Sequence, residues 1–128
     1  MHIYIFVNGG KTLDNQEILL KIIVESWRFM KTTENLINRL PAVDQLRYIS
    51  RCQWYSKMLI ENTALLGAKI LVFDGQEYDN GMPVTALNLE EFGPDDTLVI
   101  EQTLEPTILD VTNNQLLKMG TVMLRKAV

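Results

Sequence analysis

Histidine occurs once, at His2, and cysteine once, at Cys52. A Ser-His-Asp or Cys-His relay needs a histidine held firmly in a pocket. His2 stands at the edge of the chain, where a surface role is the simpler reading. Zinc needs three or four converging His, Cys or carboxylate ligands, and one His and one Cys far apart in sequence do not supply them. Cys52 falls on an apolar stripe and reads as a small core residue.

Two further patterns bear on chemistry. Asn8-Gly9-Gly10-Lys11-Thr12 follows an apolar run and precedes a helical one, the setting of a phosphate-binding loop. The first glycine of G-x-x-x-x-G-K-[ST] would fall on Ile5, so the loop is too short to wrap phosphates, and a plain turn is the competing reading. The carboxylates Glu90, Glu91, Asp95, Asp96, Glu101 and Glu105 could run paired-acid hydrolysis. Adjacent acids flanking a turn read more simply as a solvated loop.

The elements that must position these residues change character along the chain. Residues 2–7 are β-rich and end at Asn8-Gly9-Gly10, predicting a strand and a turn. Asp14 and Glu17 have capping-box spacing and predict a helix start. Ile18, Leu19, Ile22, Ile23, Trp27 and Met30 recur at helical intervals, widened by Leu20, Val24 and Phe29. The pattern continues through Leu36, Ile37 and Leu40 and stops at Pro41. A stripe this wide predicts more than one packing partner. Asp44 is expected to cap a second helix carrying Tyr48, Ile49, Cys52, Tyr55, Leu59 and Leu66 on one face, ending at Gly67. The two helices should pair as an antiparallel hairpin.

Beyond Gly67, short apolar runs alternate with turn residues. Strands are expected at 70–73, 84–87, from Leu98 to an interruption at Pro106, and at 121–124. Turns are expected at Asp74-Gly75, Asp79-Asn80-Gly81, Gly93–Asp96 and Asn113-Asn114. The expected fold is α+β: an N-terminal strand and a helical hairpin over 1–67 that dimerises into a four-helix bundle, followed by a small all-β domain over 68–128.

Composition narrows the partners. The 128 residues carry 12 Lys and Arg against 16 Asp and Glu, a formal charge of -4. Phosphate backbones repel such a chain, so no nucleic acid partner is expected. No apolar run approaches the roughly 20 residues that span a bilayer. The start lacks the basic residues and cleavage site of a signal peptide, and a lone cysteine forms no internal disulfide, so the expected location is cytoplasmic and no membrane partner is expected.

From Leu59 onward the order of features resembles the end of the GrpE family, nucleotide-exchange factors of DnaK-type chaperone ATPases. Leu66-Gly67-Ala68-Lys69-Ile70 resembles that family's helix exit. Tyr78-Asp79-Asn80-Gly81-Met82 resembles its aromatic-Asp segment, with Asn80 where the family has proline. Leu98 to Pro106 resembles the penultimate strand, and Gln115 to Leu124 the final one. Glu105-Pro106-Thr107-Ile108 stands where the family has a Gly-Tyr pair. Gln115 replaces the first arginine of the final run, and Lys118 keeps a positive charge there.

The resemblance implies a homodimer paired through its helices. It implies a β domain wedged against the ATPase domain of a DnaK-type chaperone, opening the nucleotide cleft to release ADP. Such a device binds the open state better than the closed one and needs no catalytic side chain and no cofactor. Candidate partner contacts are the apolar turn Tyr78, Met82, Pro83 and Val84, then Glu105 and Pro106, and Lys118. The competing reading places the turn in the β core and Lys118 on an ordinary surface. Two alternatives stay open: an interaction adaptor of the same architecture without exchange activity, and a small hydrolase using the acidic residues.

Overall fold

The computed structural model describes residues 14–128. The strand expected at residues 2–7 and the Asn8–Thr12 loop lie outside the described residues. The fold is α+β: two helices are followed by two small three-stranded sheets.

Helix α1 spans Asn15–Ile37 and opens as its sequence predicts. The Asp14 side chain accepts a hydrogen bond from the Glu17 backbone N–H at 2.8 Å, satisfying one of the free donors of the first turn. The helix ends at Ile37, three residues before the expected stop at Leu40. Residues 38–40 tighten into a turn, and the Gln45 side chain donates to the carbonyls of Asn38 and Leu40, at 3.2 and 2.9 Å.

Helix α2 spans Ala42–Leu65 and starts earlier than expected. Pro41, not Asp44, is its N-cap residue; the proline ring supplies the fixed φ a helix start needs, and Asp44 sits in the first turn. Gly67 follows the C-cap with φ of 78°, the left-handed geometry that glycine adopts without a Cβ penalty.

The helices meet through Trp27, Met30 and Ile37 of α1 and Cys52 and Leu59 of α2, with Ile49 and Tyr55 packed alongside. Tyr48 and Leu66, expected on this face, remain substantially exposed.

The strands are β1 (Ala68–Leu71), β2 (Val84–Ala86), β3 (Leu98–Glu105), β4 (Thr107–Asp110), β5 (Leu116–Lys118) and β6 (Gly120–Lys126). One sheet has the order β1-β4-β5, all antiparallel. The other has the order β2-β6-β3, with β2 parallel and β3 antiparallel to β6. The segment 115–124, which resembles one continuous strand, is two strands in different sheets, separated at Met119.

The chain passes from the second sheet to the first at Pro106 and returns at Met119. Pro83 joins the two sheets at this crossing. Its carbonyl accepts from Gly120 N–H at 3.2 Å and from the Thr107 hydroxyl at 2.9 Å.

Each sheet has its own core. Val84, Leu98, Ile100, Val122 and Leu124 fill the β2-β6-β3 sheet's side. Ala68 and Ile108 of the other sheet pack on Ile23 and Val24 of α1. Helix α1 therefore divides its apolar girth between α2 and a sheet, because its apolar positions recur on two adjacent stripes.

Candidate functional site

The candidate contact residues occupy three places. Tyr78 and Met82 pack against the β2-β6-β3 core, and Val84 belongs to it. The turn that carries them is locked locally. Asp79 Oδ1 accepts from Gly81 N–H at 2.7 Å, and Met82 Sδ accepts from Asp79 N–H at 3.3 Å. Pro83 is half-buried and its carbonyl is used by the crossing described above. Tyr78 borders a cleft of about 810 Å³ that Glu77, Asp79, Phe92 and Asp96 also line, beside the start of β3.

Asp96 in that cleft already has partners. Its Oδ2 accepts from Gly93 N–H at 2.8 Å and stands 3.9 Å from Lys126 Nζ. Glu90 and Glu91 are exposed on a short 3-10 turn, Leu89–Glu91. Glu101 is exposed on β3. Among the described residues no group of three or more His, Cys, Asp or Glu is placed to hold a metal ion.

Glu105 and Lys118 come together. Both line a cleft of about 500 Å³ between α1 and the sheets, with Glu17, Lys21 and Glu25 across from them. Glu105 accepts from the Thr121 hydroxyl at 3.0 Å, and Lys118 Nζ donates to the Met119 carbonyl at 3.1 Å. Pro106, next in the chain, is fully buried at the sheet crossing and offers no side-chain surface. The seven candidates therefore do not converge on one patch.

A third cavity, about 360 Å³, opens between the helices where Phe29, Met30 and Ile37 face Tyr48, Cys52 and Tyr55. Burial raises the pKa of the Cys52 thiol, and the Glu34 carboxylate raises it further, against a lowering by Lys31. Its Sγ lies 3.9 Å from the Met30 carbonyl. Such a thiol carries little thiolate near neutral pH and is a poor nucleophile.

Sequence reasoning saw the stripe of α1 as wide but did not resolve its parts. The structure separates a buried part from an exposed part running through Ile22, Phe29 and Leu36. Their spacing of seven, about two helical turns, was the signal that would have isolated it. Val43, Trp54 and Leu65 of α2 are exposed as well. Among the described residues, no helix is long and apolar enough to cross a membrane. No family model, no curated protein and no solved structure matches this chain.

Proposed function

We propose that this chain is a protein-binding factor that acts as a homodimer, and that its partner is the ATPase domain of a DnaK-type chaperone, from which it promotes ADP release. The observation that carries the reading is the apolar surface of the helices, where Ile22, Phe29, Leu36, Trp54 and Leu65 stay exposed after each helix has filled its core contacts. A contiguous apolar patch of more than a few hundred Å² marks a protein contact, and the reading takes these side chains to form one. Pairing the helices of two copies would bury it in a four-helix bundle, with each hairpin followed by its own β domain.

The element order from Leu59 onward supports the GrpE-like part of the reading. A helix ends before a left-handed glycine, a short strand and turn follow, then the Tyr78–Met82 segment, then a long strand. Exchange would proceed by tighter binding of the β domain to the open, nucleotide-free ATPase than to the closed one. The test mixes the purified protein with DnaK-type ATPases from its own source and follows labelled ADP. Faster release supports exchange; an unchanged rate at saturating protein rejects it.

The adaptor reading has one observation in its favour. Glu105 and Pro106 stand where the family has its Gly-Tyr pair, and here one is bonded to Thr121 and the other is buried. Binding to the chaperone without faster release of ADP is the result that selects this reading.

A further inference from the structure

We propose that an extended, acidic peptide segment of another protein docks on the open edge of β1, adding to it as a strand and setting its apolar side chains in the groove beside α2. This site goes beyond the proposed function and does not rest on it.

Register fixes the edge. Among the described residues β1 pairs with β4 alone, so its other side borders no strand. Gly67, just before β1, accepts from the Val111 N–H at 2.9 Å. Hydrogen-bonding direction alternates along an antiparallel pair. Lys69 and Leu71 therefore turn their backbone groups to β4, and Ala68 and Ile70 turn theirs to the open side. Asp110, opposite Ala68, donates its N–H to the Gln115 carbonyl at 2.8 Å, away from β1, as this alternation requires. A row of free N–H and C=O groups on a strand edge is a template for another extended chain. The opposite edge, β5, is three residues long and its register slips against β4, which blunts it.

A groove lies beside the open edge. A cavity of about 350 Å³ is bounded by β1 and by both helices. Trp27 and Leu59 of its lining are buried, while Ile60 and Val72 are exposed by 57% and 45%. Ala68 and Ile70 turn their side chains to this helical side, where they pack on the core that Ile23 and Val24 share. On an added strand every second side chain turns the same way.

Charge selects the other positions. Two lysines, Lys31 and Lys69, line the groove with no carboxylate, in a chain of net charge -4. Lys31 is engaged with Glu34 at 3.3 Å and lies over the Trp27 ring at 5.6 Å. Among the described residues Lys69 has no acidic partner. Lys69 alternates with Ala68 and Ile70, so it stands on the opposite face, beside the intervening residues of the added strand. The fitting segment thus alternates apolar residues with acids.

The test titrates the full chain with a short fluorescein-labelled peptide of alternating valine and glutamate. Saturable binding is expected, with slowed hydrogen exchange at the Ala68 and Ile70 amides. N-methylating the peptide backbone should abolish both, because it blocks strand pairing without altering the protein. Lys69→Glu should weaken binding roughly fivefold, and a valine–lysine peptide should bind more weakly to the wild type by a similar factor. Ile60→Asp, at an exposed position, should weaken binding at least about tenfold. Absence of saturable binding overturns the proposal, as does binding that survives N-methylation or protects amides elsewhere. Equal binding of the valine–lysine peptide overturns the acidic assignment. Slow exchange at Ala68 and Ile70 in the free protein would mean that the chain itself or a second copy already closes the edge, and also overturns the proposal.

Discussion

Asn88 pairs with Leu124 as a strand would. Its side-chain amide donates to the Leu124 carbonyl at 2.9 Å, and its Oδ1 accepts from the Leu124 N–H at 2.9 Å. Strand β2 ends at Ala86, so β6 has lost its neighbour on that side by this point, while β3 stays paired on the other. Leu124 is almost fully buried and no water would reach these groups. One amide, with a donor and an acceptor side by side, replaces the missing rung.

Asn88→Ala should therefore cost more than a surface substitution. It leaves a buried N–H and a buried carbonyl without partners, which costs on the order of 2–4 kcal/mol. Urea unfolding of the variant against wild type measures it. A loss below about 0.5 kcal/mol, the scale of a neutral surface change, would mean that the pairing contributes nothing.

Gly120→Ala should also be damaging, for a steric reason. A Cβ there would stand 2.5 Å from Thr107 Oγ1 and 3.0 Å from both the Glu105 carbonyl oxygen and the Thr107 nitrogen. Two of these three atoms are backbone at the sheet crossing and have little room to retreat. Forced overpacking of this kind costs about 1–3 kcal/mol. Thermal unfolding should show a midpoint lower by several degrees. At Gly75, where space is open and the obstacle is a φ of 84°, alanine acts through backbone strain alone.

These positions show what a sequence can carry. The Asp14–Glu17 cap, Gly67 and the turn residues at Gly75 and Asn114 were legible because each is decided within four or five residues. Asn88 carried no signal, since its partner lies thirty-six positions away. The two-sheet arrangement was not legible either. Alternation says which face of a strand is buried, not which strand lies beside it, so the parallel β2-β6 pairing left no local mark. The run from Gln115 to Leu124 resembles a single strand, but the change of sheet at Met119 is set by pairing with strands distant in sequence. Burial of Pro106 was equally hidden, because proline reads as a surface turn unless its neighbours are known. The candidate contacts were read from one apolar turn and one resemblance, neither of which reports distance in space.

Cys52 should resist modification in the folded protein. Burial is the first cause of its raised pKa and the Glu34 charge the second. Reaction with an aromatic disulfide at pH 8 is expected to be slower than in urea by at least about tenfold. Glu34→Gln removes the like-charge contribution, so the thiol pKa should move down toward its ordinary value. A native rate equal to the unfolded one would show that the thiol is neither buried nor perturbed.

Asp110 should make the fold acid-sensitive with a defined sign. It ends β4, and its Oδ1 accepts from the Thr112 hydroxyl at 2.5 Å and from the Thr112 N–H at 2.8 Å. The Thr112 hydroxyl is the largest cause of its lowered pKa, followed by the Thr112 backbone. A carboxyl depressed in the folded state stabilises the fold above its unfolded pKa, about 3.9, and loses that contribution as pH falls through the folded value. Stability attributable to Asp110 should thus be constant at neutral pH and decline below about pH 4. Asp110→Asn should remove that part of the decline, so the two stability curves differ near neutrality and approach each other in acid. Thr112→Ala should return the carboxyl toward its ordinary pKa, seen as an upward shift in an NMR titration of the Asp110 side chain. Thr112→Ser keeps a hydroxyl at the same position and should leave the depression largely in place. A carboxyl that titrates identically in wild type and both Thr112 variants would mean that this turn does not hold the charge.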